Sequence, residues 1–227
     1  MTETNAPERS LKTARLLALA AHIVYMAFSA TASLAADAPT TAKFVEITAT
    51  ADTLRQLRTG GYTLYLRHGP TDNAIADRVP AVDLNDCRTQ RPLTEAGRQL
   101  MAKVGTSMRR GRIPIGDFMV SPMCRARHSA TAAFPKITPM VDKQLMYVAN
   151  FTDAEKAPII ANTRRLLSAP VPKGSNRLVL AHAPNLMELM GYFPKEGTLV
   201  ILQPKGEPGE YAYVASIAPA AWTGLLK

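Results

Sequence analysis

Three short stretches carry residues able to do chemistry. In Arg67-His68-Gly69 a guanidinium stands beside an imidazole. A neutral imidazole is a nucleophile toward phosphorus, provided its other nitrogen is fixed by an acceptor such as a backbone carbonyl. Arg67 can hold phosphate oxygens in a two-pronged fork, and Gly69 leaves space above the ring. In Ser121-Pro122-Met123-Cys124-Arg125 a helix is expected to open near Cys124, where free N–H groups and partial positive charge suit an anion. Arg125 in its first turn would face that anion, whereas Arg127 and His128 fall on other sides of the helix and read as surface or supporting residues. The third stretch is His182-Ala183-Pro184-Asn185. The chain has only four histidines (His22, His68, His128 and His182), so two in such settings stand out.

These residues need a frame to meet. The run Tyr62-Thr63-Leu64-Tyr65-Leu66, bounded by Gly60-Gly61 and Arg67, predicts a buried strand that delivers His68. Phe118–Val120 predicts a short strand ending at Ser121, and Arg177–Ala181 one ending at His182. Helices are expected over Phe44–Thr59, from Thr94 as N-cap to about Arg110, over Cys124–Phe134 and over Ala154–Ser168. Residues 70–92, broken by Pro70, Pro80 and Pro92, read as a long loop, and 135–153 as irregular. Two strands, Thr198–Leu202 and Tyr211–Ile217, flank a Gly/Pro turn, and Ala220–Leu226 reads as a closing helix. Strands alternating with helices predict an α/β fold with a mostly parallel sheet covered on both faces. In such sheets ligands bind at the carboxyl ends of the strands, where all three stretches lie.

At this point the sequence resembles the histidine phosphatase superfamily, also called phosphoglycerate mutase-like, over about residues 60 to 205. The ordered motifs are Arg67-His68-Gly69, then Cys87-x-x-Gln90-Arg91-x-Leu93-Thr94-x-x-Gly97. They continue with Ser121-Pro122-x-Cys124-Arg125-Ala126-x-x-x-Ala130 and His182-x-x-Asn185-Leu186. The resemblance implies a three-layer α/β/α sandwich with a mostly parallel central sheet. It implies that His68 takes up the phosphoryl group, that Arg67, Arg125 and His182 form the phosphate pocket, and that water releases phosphate. It implies neither a metal nor another cofactor. The family's usual carboxylate, which protonates the leaving oxygen, is missing from both places the family puts it: Leu145–Phe151 holds no acid, and Ala183 follows the second histidine. Glu196 and Asp72 are the expected substitutes, with Asp153 behind them. Without an acid, good leaving groups such as phosphoramidates and anhydrides gain relative to simple esters.

The rest of the chain bounds the setting. Its 227 residues suit one domain with a real core, and 47% apolar content argues against a disordered chain. The formal charge of +9 is spread along the chain and not interleaved with aromatics, so a nucleic-acid partner is not expected and an anionic small substrate is. Arg9, Lys12 and Arg15 precede the apolar run Leu16–Phe28, and Ser33-Leu34-Ala35 follows with small residues. That order reads as a signal peptide over 1–35, with an uncleaved membrane anchor as the alternative. Its removal takes three basic and two acidic residues and leaves +8 on a single domain, 36–227. The product is expected in the periplasm or outside the cell. There, Cys87 and Cys124 could form one bridge, the alternative being two buried thiols. The cysteines are not spaced as metal ligands, and the histidines complete no zinc pattern. The expected activity is hydrolysis of phosphomonoesters, with sugar or lipopolysaccharide phosphates named by location alone. A phosphohistidine or phosphoanhydride hydrolase and a non-catalytic phosphate-binding protein are the alternatives. An export signal argues against a mutase of cytosolic sugar acids.

Overall fold

The computed structural model describes residues 43–80 and 82–227. The expected signal or anchor segment and its linker through Thr41 lie outside the described residues. Among the described residues no helix is long and apolar enough to cross a membrane.

Six strands form one sheet in the order β3-β2-β4-β1-β5-β6. They are β1 (Thr63–Arg67), β2 (Ile115–Val120), β3 (Met140–Val141), β4 (Asn176–Ala181), β5 (Leu199–Pro204) and β6 (Tyr211–Ile217). The pairings β3·β2, β2·β4 and β4·β1 are parallel, and β5 and β6 close the sheet antiparallel. Alternate residues of the central strands face opposite layers, the period-2 rule of a pleated strand. Leu64, Leu66, Leu178, Leu180 and Val120 pack with helices α1 (Ala51–Thr59), α2 (Glu95–Arg110) and α3 (Cys124–Ala133). Tyr65, Val179, Ala181 and Val200 pack against α4 (Asp153–Ser168) and α5 (Ala183–Met190). The result is the expected three-layer α/β/α arrangement, with a short α6 (Trp222–Leu225) closing the first layer.

Several boundaries differ from the sequence reading. The first helix begins at Ala51, not Phe44. Thr50 caps it by accepting the Thr53 amide, while the β-branched stretch before it joins the sheet, Ala49 N–H donating to Ser216 O and Ser216 N–H to Ile47 O. Pairing with the sheet satisfies those amides better than an uncapped turn of Val, Ile and Thr would. β2 starts earlier than Phe118, because Ile115 pairs with Asn176 at the edge of β4. The irregular 135–153 segment contains β3 and a 3₁₀ turn over Lys143–Leu145.

Two glycines decide how α2 reaches the site. A Cβ on Gly69 would stand 2.8 Å from the Gly97 carbonyl oxygen, and a Cβ on Gly97 would strike the carbonyl of Pro70. The start of α2 therefore packs directly on the His68 loop. Thr94 both caps this helix, accepting the Gly97 amide, and donates its hydroxyl to Pro70 O.

Candidate active site

β1 and β4 are parallel neighbours with Arg67 level with Ala181, so the next residue of each strand, His68 and His182, emerges at the same sheet edge. Their ring centroids are 5.2 Å apart. β2, on the other side of β4, delivers Ser121 to the same level, its amide bonding Leu180 O. The strand-end clustering expected from sequence is therefore what the register produces.

His68 is buried, and its Nδ1 lies 2.8 Å from the carbonyl oxygen of Gly69. A carbonyl can only accept, so Nδ1 carries the proton and Nε2 keeps the lone pair. Burial pushes the imidazolium well below its ordinary range, and Arg125 and Arg67 push the same way against the Gly69 bond. The ring is thus neutral, with the lone pair of Nε2 free.

His182 is held from both sides. Its backbone N–H donates to Tyr65 Oη (3.0 Å), and the Tyr65 hydroxyl donates to His182 O (2.7 Å). Its Nε2 lies 2.7 Å from Ser121 Oγ, which also accepts the Met123 amide. Among the described residues the Ser121 hydroxyl has no acceptor other than His182 Nε2. Burial, Arg125 and His68 hold the ring neutral, so Nε2 accepts and Nδ1 bears the hydrogen. That Nδ1 is buried and without a partner among the described residues.

Three guanidinium groups surround the histidines. Arg67 donates to Pro194 O (2.6 Å) and lies 3.6 Å from Glu196 Oε1, with Phe193 across its face at 5.0 Å. Arg125, fully buried, pairs with Asp77 at 2.9 Å and lies 5.0 Å over the ring of Tyr147. Arg91 stands beside them, its backbone N–H donating to Asp77 Oδ1, the carboxylate oxygen that also holds Arg125. Nε of Arg67 and Arg91, and both Nε and Nη2 of Arg125, are buried donors without a partner among the described residues. Burying a charged donor without an acceptor costs several kcal/mol, about 1–3 kcal/mol even for a neutral group. Such a cluster, with His182 Nδ1, fits an oxyanion with several acceptor oxygens.

The supporting residues were only partly visible beforehand. Ser129 accepts the Gly69 amide and donates to Arg125 O, tying the His68 loop to α3. Cys87 and Cys124 are bonded to each other. Gln90 accepts the Cys124 amide, which with that bond fixes the 70–92 loop against α3. Glu196 reaches the site, accepting from Thr71 and facing Arg67. Asp72 instead accepts the Ala74 amide in its own loop, and Asp153 lies exposed at the start of α4. Arg127 binds the carbonyl of Leu84, and His128 is only half-buried, in keeping with supporting positions. Asp77, Tyr65 and Tyr147 were not foreseen. Arg91 sat inside the Gln90-Arg91 motif, its only prior signal. Among the described residues no cluster of potential metal ligands occurs.

The chain matches no protein-family model and no curated protein sequence. Its fold does match solved structures. A candidate alpha-ribazole-5'-P phosphatase from Escherichia coli aligns with 70% of this chain and 97% of its own, at 14% identity and a TM-score of 0.50. The two chains share a fold, the phosphoglycerate mutase-like α/β/α arrangement. The tungstate complex of the protein histidine phosphatase SixA aligns over 70% of this chain and 97% of its own, at 18% identity and a TM-score of 0.48. A mycobacterial glucosyl-3-phosphoglycerate phosphatase covers 69% and 98%, at 13% identity and 0.45. At 14% identity the Escherichia coli alignment shows a shared fold alone, and the residue assignments rest on the geometry above.

Proposed function

We propose that this chain is a phosphatase that transfers the phosphoryl group of a phosphomonoester to His68 Nε2 and then to water. The P–O bond to the leaving group breaks as the N–P bond forms. Water then attacks the phosphohistidine, returning neutral His68 and inorganic phosphate. The observation that carries this reading is the locked His68 tautomer, with Nδ1 on Gly69 O, among buried unpartnered donors of Arg67, Arg91, Arg125 and His182. These donors would neutralise the phosphoryl oxygens, and because they are already in place they need no reorganisation at the moment of transfer. Asp77 orients Arg125 by occupying one prong of its fork and leaving Nε and Nη2 for substrate.

Proton donation to the leaving oxygen is the weak part of the site. Glu196 is the proposed acid, yet it faces Arg67 and accepts from Thr71. Thr71 Oγ1 and Arg67 Nη2 approach the same oxygen, Oε1, at 3.3 and 3.6 Å. This supports a second reading within the same chemistry, hydrolysis of phosphohistidine or phosphoanhydrides, whose leaving groups need less help. We also place the protein outside the cytoplasm. The N-terminal sequence supports this, as does the Cys87–Cys124 bond, which oxidising compartments permit. Sugar and lipopolysaccharide phosphates follow from that location alone. Phosphate release from a panel of phosphorylated compounds, wild type against His68→Ala, tests the activity. Release by the wild type alone establishes the nucleophile. Equal behaviour of the two leaves a phosphate-binding protein in its place.

A further inference from the structure

Beside the phosphate site lies a cleft of about 220 Å³. Val79, Pro80, Val82, Met146, Tyr147 and Phe151 supply its apolar walls. Two residues belong to both places. Asp77 lines the cleft and pairs with Arg125. Tyr147 lines the cleft, presents its face to Arg125 at 5.0 Å and its ring to His182 at 5.6 Å between centroids. The cleft therefore borders the cationic site, with Asp77 and Tyr147 forming the wall the two share. An apolar cavity of roughly 150 Å³ holds a benzene molecule, so a six-membered ring fits.

The polar residues of the cleft narrow the occupant. They are Asp77, Asn150 and Glu155, with no lysine or arginine among the lining residues. Glu155 is turned to the cap of α4, accepting from Thr152. A second phosphate or a carboxylated alcohol would meet carboxylates and no cation there, and a polyhydroxylated sugar would leave its hydroxyls against Val, Pro, Met and Phe. The leaving-group argument points the same way, because phenols depart more readily than alkyl alcohols and the candidate acid is already paired. A larger groove of about 370 Å³, lined by Met108, Ile113, Phe134 and Ile137, lies toward Ile115 at the opposite end of β2 and adjoins neither histidine.

We propose that this cleft holds the aromatic ring of a small aryl phosphate whose phosphoryl group sits on Arg125. The inference rests on the phosphoryl-transfer reading for its substrate, but it is tested by binding. Calorimetry on the full-length protein compares methylphosphonate, phenylphosphonate and 4-propylphenylphosphonate, with hydrolysis of phenyl phosphate measured in parallel. Phenylphosphonate is expected to bind at least tenfold tighter than methylphosphonate, the scale of burying one aromatic side chain. Phe151→Ala is expected to cut that preference at least threefold and leave methylphosphonate within twofold. Val79→Ser, at a position 51% exposed and so tolerant of change, is expected to act in the same direction. Equal affinity for all three phosphonates overturns the proposal, as does an equal loss for all three in Val79→Ser. A ring preference without turnover of phenyl phosphate leaves the cleft standing and removes the phosphatase reading.

Discussion

Ser121→Ala tests the reasoning about His182 most directly. Ser121 Oγ accepts the Met123 amide and donates to His182 Nε2 at 2.7 Å, and among the described residues nothing else holds that ring nitrogen. With the hydroxyl gone, the ring is free to carry its proton on Nε2 and to turn a lone pair toward the phosphoryl group. One hydrogen bond to an anionic oxygen is then lost, and such bonds are worth about 1.5–3 kcal/mol. At about 1.4 kcal/mol per factor of ten, kcat/KM is expected to fall roughly 10- to 150-fold. The fold should lose less. Tyr65 still holds the His182 backbone on both sides, so the stability cost is about 1 kcal/mol, one neutral buried hydrogen bond. Steady-state kinetics, trapping of the phosphoenzyme and urea denaturation read these separately. Formation of the phosphohistidine on His68 should slow along with kcat. A variant whose kcat/KM stays within twofold of wild type, with stability reduced as expected, refutes the assignment of Nδ1 as a phosphate donor.

Other outcomes follow from the same geometry. His68→Ala is expected to abolish both phosphate release and incorporation of label into protein, checked with radiolabelled substrate. Tyr65→Phe strands the N–H and C=O of His182 and should cost about 1–3 kcal/mol by urea denaturation, more than Ser121→Ala, with a drop in kcat besides. Both His68 and His182 titrate well below 6.5 in the folded chain because they are buried among arginines. The unfolded chain takes up their protons first as pH falls below 6.5. Stability is therefore lost on acidification, by up to about 1.4 kcal/mol per pH unit for each histidine until the folded value is reached. NMR titration of the rings and denaturation at pH 5 and 7.5 check this, and a ring that protonates near 6.5 contradicts it. Replacing Cys87 and Cys124 together by serine opens a loop with a sequence separation of 37. On the chain-entropy model this lowers stability by about 4 kcal/mol, and denaturation of the double variant measures it.

The sequence alone determined the strands and the order of the chemistry along them. Short β-branched and apolar runs ending in Arg67-His68, Ser121 and His182 marked the carboxyl edge of a parallel sheet, because local hydrophobic pattern and punctuation are carried by neighbouring residues. The first helix was misplaced for the opposite reason: the pull on Ile47–Ala49 comes from Ser216, distant in the chain and invisible to any local pattern. The same holds at the site. Gly69 O fixing Nδ1 of its own neighbour His68 is local. Asp77 on Arg125, Tyr65 on the His182 backbone, and Ser121 on the His182 ring are contacts between segments that only the sheet order brings together. Residue types named the candidate nucleophile, His68, and two of the arginines beside it. Which tautomer each histidine holds, which donors are left for an oxyanion, and what lines the space beside it depend on distances that tertiary packing alone sets.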